Sequence, residues 1–359
     1  MKNLFSKRTL IIICFPALFV LVMLTLGLPQ TLLTAVDVGS EKYNIAEYNY
    51  YYYEAYYNFV NEHMYELGDL GLNVDVALKK QDYDEDSTWA DHFREVALAD
   101  MQEYTVLRNE AAKAGYDASD EVETVRADNE QRIRTACIAA GVSKPDEYLS
   151  KLYDAGMNEK IYYAQLANRT LAESYRDVVM DELKPSDEDV EAYRQKYYDA
   201  ATDYTTADVV VTYFIPGTDR STGETEERQW ENAGKLAEAA QERAQANGGD
   251  LAAYTAIATQ FSQLDDDRAP DGHFSALTKD DVEEVLEAWC FDANRQSGDS
   301  AVLRDDTGWY LVYFNGWGES ALTVQARTDL NQERYDQWLN ERETEFPVKT
   351  HGFAMVIAR

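Results

Sequence analysis

Four histidines, three cysteines and the acid run at residues 82–86 are the side chains from which this sequence could build a reactive site. His63, His92, His273 and His351 lie far apart, and neither a GxSxG elbow nor an HExxH pair occurs. The arrangements that mark a serine hydrolase or a zinc peptidase are therefore missing, and only clustering in space could assemble a hydrolytic site. Cys14, Cys137 and Cys290 show neither CxxC nor Cys/His spacing, so no zinc or redox motif is present. Cys14 falls in an apolar stretch; Cys137 and Cys290 fall on helical segments and are expected as buried thiols, since a bridge needs their Cα atoms within ~7 Å. Residues 82–86 (DYDED) open like a calcium loop. The sixth position, however, is Ser87 where glycine must turn the chain, and the twelfth is Phe93 where a bidentate Glu must complete the shell. Acids and hydroxyls just before a helical period suit capping and the helix dipole instead. Neither a metal nor another cofactor is expected.

With no reactive constellation in sight, charge and hydropathy bound the function. Asp plus Glu outnumber Lys plus Arg by 66 to 33, for a formal net charge of −33. So acidic a chain repels phosphate backbones and anionic headgroups, which excludes nucleic acid as a partner. The apolar share of 45% supports packed cores. Residues 9–28 (TLIIICFPALFVLVMLTLGL) carry no charge, and at 1.5 Å of rise each they cover ~30 Å, the thickness of a bilayer core. Lys2, Lys7 and Arg8 precede them directly, so residues 1–8 are expected in the cytoplasm and the body beyond the membrane. The run is longer than the apolar region of a cleaved signal, and Cys14 lies too early in it for a lipoprotein signal.

Residues 36–47 (VDVGSEKYNIAE) read as a short strand, a turn at Gly39 and Ser40, and the start of a helix. Along that helix Ile45, Tyr48, Tyr52, Tyr56 and Phe59 recur at steps of three and four and predict a core face. Tyr50, Tyr51, Tyr53 and Tyr57 fall elsewhere and predict an amphipathic surface, or an exposed aromatic patch for unfolded chains. Further helical periods run through Trp89, Phe93, Val96, Met101 and Tyr104, over residues 119–140, and from Pro145 to about Glu182, with Gly156 a break. Pro185 ends this series, because proline lacks an amide donor and obstructs the preceding turn. Ser186 with Asp189 then caps a short helix to about Tyr198.

Beyond it the pattern changes. Residues 207–215 (ADVVVTYFI) are β-branched and aromatic and predict a buried strand. Helices are expected over residues 226–246, 251–260 and 280–291, with a loop over 262–278. Strands are expected at 301–304 and 308–314 (GWYLVYF), and a last helix at 322–343. One strand, three helices and two strands make a small α/β unit.

The run of residues 207–314 resembles the parvulin module of peptidyl-prolyl isomerases, and the whole arrangement is similar to the PrsA/SurA family of extracytoplasmic foldases. The residues that carry the likeness are VDVGSEKYNIAEYN at the start, PSDEDVEAYRQKYYD ahead of the module, and Phe261-Ser262 with Gly272-His273-Phe274 inside it. Residues 282–291, Gly298-Asp299 and residues 308–312 complete it.

The resemblance implies an α+β fold: a mostly helical chaperone lobe (residues 36–203 and 319–359), an inserted parvulin-like domain (204–318) and one transmembrane helix (9–28). It further implies that the first and last strands of the module lie side by side, and that the C-terminal helix returns to the lobe. Unfolded or secreted polypeptides are the implied partners. Parvulins are thought to lower the ~18–20 kcal/mol barrier about the X–Pro bond with two strand histidines, a Cys or Asp, and a Met/Phe pocket. On that pattern Val209 and Tyr310 stand where the histidines would be. Asp265, or its neighbour Leu264, falls at the Cys/Asp position, Val282 and Leu286 at the pocket Met and Phe, and Phe274 beside them. His273 is expected as a plain loop residue. Both imidazoles are thus replaced, and the expected activity is binding of unfolded or proline-containing polypeptides with a weakened isomerase site; the alternatives are a non-catalytic holdase or a cell-surface interaction protein that uses the parvulin fold as scaffold.

Overall fold

The computed structural model describes residues 28–217, 225–263 and 269–358. Nearly all of the apolar run at 9–28, with Leu264 and Asp265, lies outside the described residues, among which no helix is long and apolar enough to cross a membrane. A helical turn at Leu28–Leu32 leads to strands β1 (Thr34–Val38) and β2 (Glu41–Asn44). Helices α1 (Ile45–Glu62), α2 (Trp89–Ala114), α3 (Ser119–Ala139), α4 (Pro145–Leu152), α5 (Glu159–Glu182) and α6 (Asp187–Tyr197) follow. Next come β3 (Thr205–Phe214), α7 (Glu226–Ala246), α8 (Leu251–Phe261), β4 (His273–Leu277), α9 (Glu284–Cys290), β5 (Ser300–Arg304) and β6 (Trp309–Ser320). The series closes with α10 (Ala321–Glu343), β7 (Val348–Thr350) and α11 (Gly352–Ile357). The fold is α+β and mostly helical, in two compact units: Met1–Leu183 with Glu333–Arg359, and Lys184–Gln332.

In the first unit local chemistry sets the helix starts. Asn44 Oδ1 accepts from the Glu47 N–H at 3.0 Å while Glu47 Oε2 accepts from the Asn44 N–H at 2.8 Å, a reciprocal cap that starts α1. Thr88 and Asp91 do the same for α2. The acid run just before it is a loop closed by Asp84, whose Oδ1 accepts from the N–H groups of Asp86 and Ser87 at 2.9 and 2.7 Å. Pro145 sits at the first position of α4, where its missing N–H removes no helical bond. Residues 36–47 contain a second strand, β2, where a turn leading straight into the helix is expected. β1 pairs antiparallel with β2 on one side and with β7 on the other, in the order β2-β1-β7.

The tyrosines of α1 correct the amphipathic expectation. Tyr50 and Tyr51 are each 1% exposed, as deeply buried as Tyr48. The reason is that α1 packs against α2, α5 and the β1–β2 hairpin, so nearly its whole circumference faces protein. Tyrosine rings fill this volume, and at two positions the hydroxyl reaches an acceptor far along the chain. The Tyr51 hydroxyl donates to Gln165 Oε1 at 3.0 Å, and that of Tyr57 to the Leu152 carbonyl at 2.8 Å. Tyr50 stacks on Tyr153 with ring centroids 5.7 Å apart. Such aromatic pairs add ~0.5–1.5 kcal/mol each beyond area burial. Neither Tyr50 nor Tyr51 is available to clients. From the C-terminal stretch, Tyr335 is buried in the same core with Trp338 against it.

A half-buried charge cluster crosses this core. Arg169 Nη1 reaches Glu54 Oε2 at 2.6 Å and its Nε reaches Glu173 Oε1 at 2.7 Å. Arg176 Nε donates to Glu103 Oε1 at 2.9 Å, an oxygen that the Tyr335 hydroxyl also engages. Beside these pairs Asp100 is pushed up to about 6, by burial first and then by the neighbouring Glu103. A carboxyl whose native pKa lies above its unfolded value favours folding below the unfolded pKa, and that contribution is lost as pH rises through the native pKa. Asp100→Asn should therefore stabilise the chain at neutral pH by about 2 kcal/mol and leave it unchanged near pH 4. Urea titrations at the two pH values check this; equal gains at both would show that the effect is not electrostatic.

Candidate functional site

The second unit is built on a four-stranded antiparallel sheet in the order β4-β3-β6-β5. β3, the long hydrophobic strand, is central and pairs with β6 from Thr205 opposite Ser320 to Phe214 opposite Trp309. The first and last strands of the unit therefore lie side by side. Alternation along each strand separates two faces. Val210, Phe214, Leu311 and Tyr313 pack with α7 and α8, while Ala207, Val209, Val211, Tyr310, Val312 and Phe314 pack with α9.

β4 corrects the loop expected over residues 262–278. It forms because Gly272 turns the chain back at φ +75°, where a Cβ would stand 2.6 Å from both the Val211 carbonyl and the Ala258 methyl. Only glycine fits both the left-handed backbone and the close approach. The turn places the Gly272 carbonyl to accept from the Val211 N–H at 2.8 Å. Pro270 and Gly272 hide a strand of five residues from a reading by pattern. The helix expected at 280–291 is also shorter: Val282 is extended at φ −137°, ψ 153° and precedes α9.

The residues singled out in the sequence meet in one cluster. Val209 is 0% exposed, Tyr310 and Leu286 5% each, and Phe274 and Val282 pack partly buried against them. Asp265 lies outside the described residues. Where the parvulin pattern expects two imidazoles, one position is thus a hydrocarbon sealed in the sheet. The other is a phenol, stacked on Tyr213 with centroids 4.8 Å apart. Its hydroxyl donates to Asp305 Oδ2 at 3.0 Å and lies 3.0 Å from Thr307 Oγ1. Burial and the Asp305 carboxylate hold that phenol far above its ordinary pKa, so it remains neutral. Asp305 itself is lowered, because hydrogen bonds from Thr307 and the Gly308 N–H outweigh its burial. It closes the β5–β6 turn and is committed there.

Cys290 sits at 0% exposure in the same cluster, and burial pushes its thiol up to about 12. A thiol in so apolar a place is inert as a nucleophile. Cys137 is likewise free and buried, in the core of the first unit. Among the described residues the face under α9 carries no group poised for proton transfer or nucleophilic attack, and its central side chains are sealed from water.

His273 is not the plain loop residue expected. It opens β4, and its Nε2 lies 2.8 Å from Asp208 Oδ1, while Asn315 Nδ2 donates to Asp208 Oδ2 at 2.8 Å. The three side chains come from β4, β3 and β6 and tie the sheet together. No spacing rule could have found them, because the contact depends on the register of three strands.

No family model matches the chain, and no curated protein matches it. Among solved structures its fold is similar to PrsA from Bacillus subtilis, with 14% identity and a TM-score of 0.38, over 69% of this chain and 78% of that one. It is similar to the foldase PrsA from Streptococcus pneumoniae at 16% identity and a TM-score of 0.30, covering 69% and 82%. A SurA-like chaperone from Campylobacter jejuni is similar at 9% identity and a TM-score of 0.28, covering 89% and 98%.

Proposed function

We propose that this chain is an extracytoplasmic folding factor that binds unfolded polypeptides without isomerising their prolyl bonds. The observation that carries this reading is the closed face under α9. Val209 and Tyr310 occupy the two strand positions where the parvulin resemblance implies histidines, and both are buried. An X–Pro segment would need an opening down to them to be twisted there. Val282, Leu286 and Phe274 act in this reading as scaffold, and the parvulin-like unit of residues 204–318 holds its shape for binding alone. The helical unit that ends at Leu183 is completed by Glu333–Arg359. Residues 9–28 anchor the protein, with the three cations before them in the cytoplasm and the acidic body outside.

The experiment is suppression of aggregation. The full chain in lipid nanodiscs is mixed with a chemically denatured client, and turbidity is followed as the client is diluted from denaturant. A binder should suppress aggregation fully at about equal amounts and little at a tenth of that, because it acts by occupancy. No suppression at any ratio would overturn the reading.

A further inference from the structure

On the sheet face opposite α9, a groove of about 570 Å³ runs between α7 and the end of α8, and β3 closes one side. Its floor is apolar, with Phe214 and Phe261 below and Leu236 standing 59% exposed on α7. Along the rim the polar groups are amides, among them Gln229 and Gln260. Among the described residues Arg243 is the one charged side chain lining the groove, on a chain whose acids outnumber its bases two to one. The glutamates of α7 at 231, 238 and 242 are exposed and stand outside the lining. From Gln229 to Arg243 the helix rises ~20 Å, which matches about six residues of extended chain.

We infer that this groove holds an extended segment of client polypeptide, apolar in its side chains and carrying a carboxylate opposite Arg243. The inference rests on the proposed polypeptide binding and names its site. Side-chain amides both donate and accept, so they can satisfy the backbone of an extended chain whatever its sequence, as a binder of many clients requires. The hydrocarbon floor supplies affinity through burial. Arg243 supplies the charge complement, and no described residue lining the groove is a carboxylate that would repel an acidic segment at contact range. The chain's distant acids are screened beyond ~8 Å at physiological salt.

Two labelled peptides that alternate leucine and serine, identical except for a central Glu or Lys, probe the site by fluorescence anisotropy against the full chain in nanodiscs. The expected result is preferential binding of the Glu peptide by about threefold, abolished in Arg243→Gln, and a loss of about tenfold for both peptides in Leu236→Asp. Leu236 is exposed, so its replacement should leave the thermal transition unchanged, and that transition is measured alongside. If Leu236→Asp binds both peptides as wild type does and still suppresses client aggregation, the groove is wrong while the folding-factor reading stands. If wild type binds neither peptide nor denatured client, that reading falls with it. Self-association that Leu236→Asp abolishes, without peptide binding, would assign the groove to a second copy of the chain and overturn the inference.

Discussion

Leu286→Glu should destabilise the sheet unit by about 4 kcal/mol, because it places a carboxylate in an apolar cluster with no partner for it. Leu286 is 5% exposed and packs in the same cluster as Val209, Tyr310, Cys290 and Phe314. A carboxyl there would hold its proton to higher pH than in water, so the electrostatic part of the loss should shrink as pH falls through that raised pKa and vanish near the free carboxyl value of about 4.3. Leu286→Met, which nearly conserves volume, should cost less than about 1.5 kcal/mol. Denaturant titrations followed by tryptophan fluorescence report this directly, since Trp289 packs against the cluster. A Leu286→Glu protein as stable as wild type but unable to bind client would mean that the face opens and serves as a pocket.

The second large effect belongs to the first unit. Arg169→Met should cost about 3 kcal/mol, because it leaves Glu54 and Glu173 without their shared cation in a half-buried cluster. Combining it with Glu54→Gln and Glu173→Gln should recover most of the loss, since the penalty lies in the uncompensated charges. Urea midpoints of the single and triple variants test this. A triple variant no more stable than Arg169→Met would place the effect in packing. Because Asp100 shares this cluster, Asp100→Asn should also soften the effect of Arg169→Met at neutral pH.

Much of the helical framework was legible from residue types alone. Pro145 at a first turn, Ser186 accepting from the Asp189 N–H at 3.2 Å, and the β-branched run that became β3 each carry their signal within a few residues. What escaped is information held between distant segments. β4 and β7, five and three residues long, exist as strands because partners far along the chain pair with them, while the four residues of β2 fold straight back on β1. Periodicity assigned Tyr50 and Tyr51 to a surface because it assumes that a helix has one buried side. Several elements close around α1, and no local pattern announces that.

The candidate site divides in the same way. Runs of β-branched and aromatic residues placed Val209 and Tyr310 in strands, and the parvulin likeness implied that those strands are neighbours, as they are. The His273–Asp208–Asn315 contact needs the register of three strands to be known first. The groove beside α7 is equally silent in sequence. Alanines and glutamines on a helix read as ordinary surface until the end of α8 and the edge of β3 make a wall opposite them.

Proline-limited refolding tests the central claim most directly. A denatured protein whose slow phase is set by an X–Pro bond is refolded with the full chain at a small fraction of its concentration, and the rate of that phase is measured. With Val209 and Tyr310 buried where imidazoles are implied, the rate should equal that of the uncatalysed reaction. A slow phase that quickens in proportion to added chain would contradict the account.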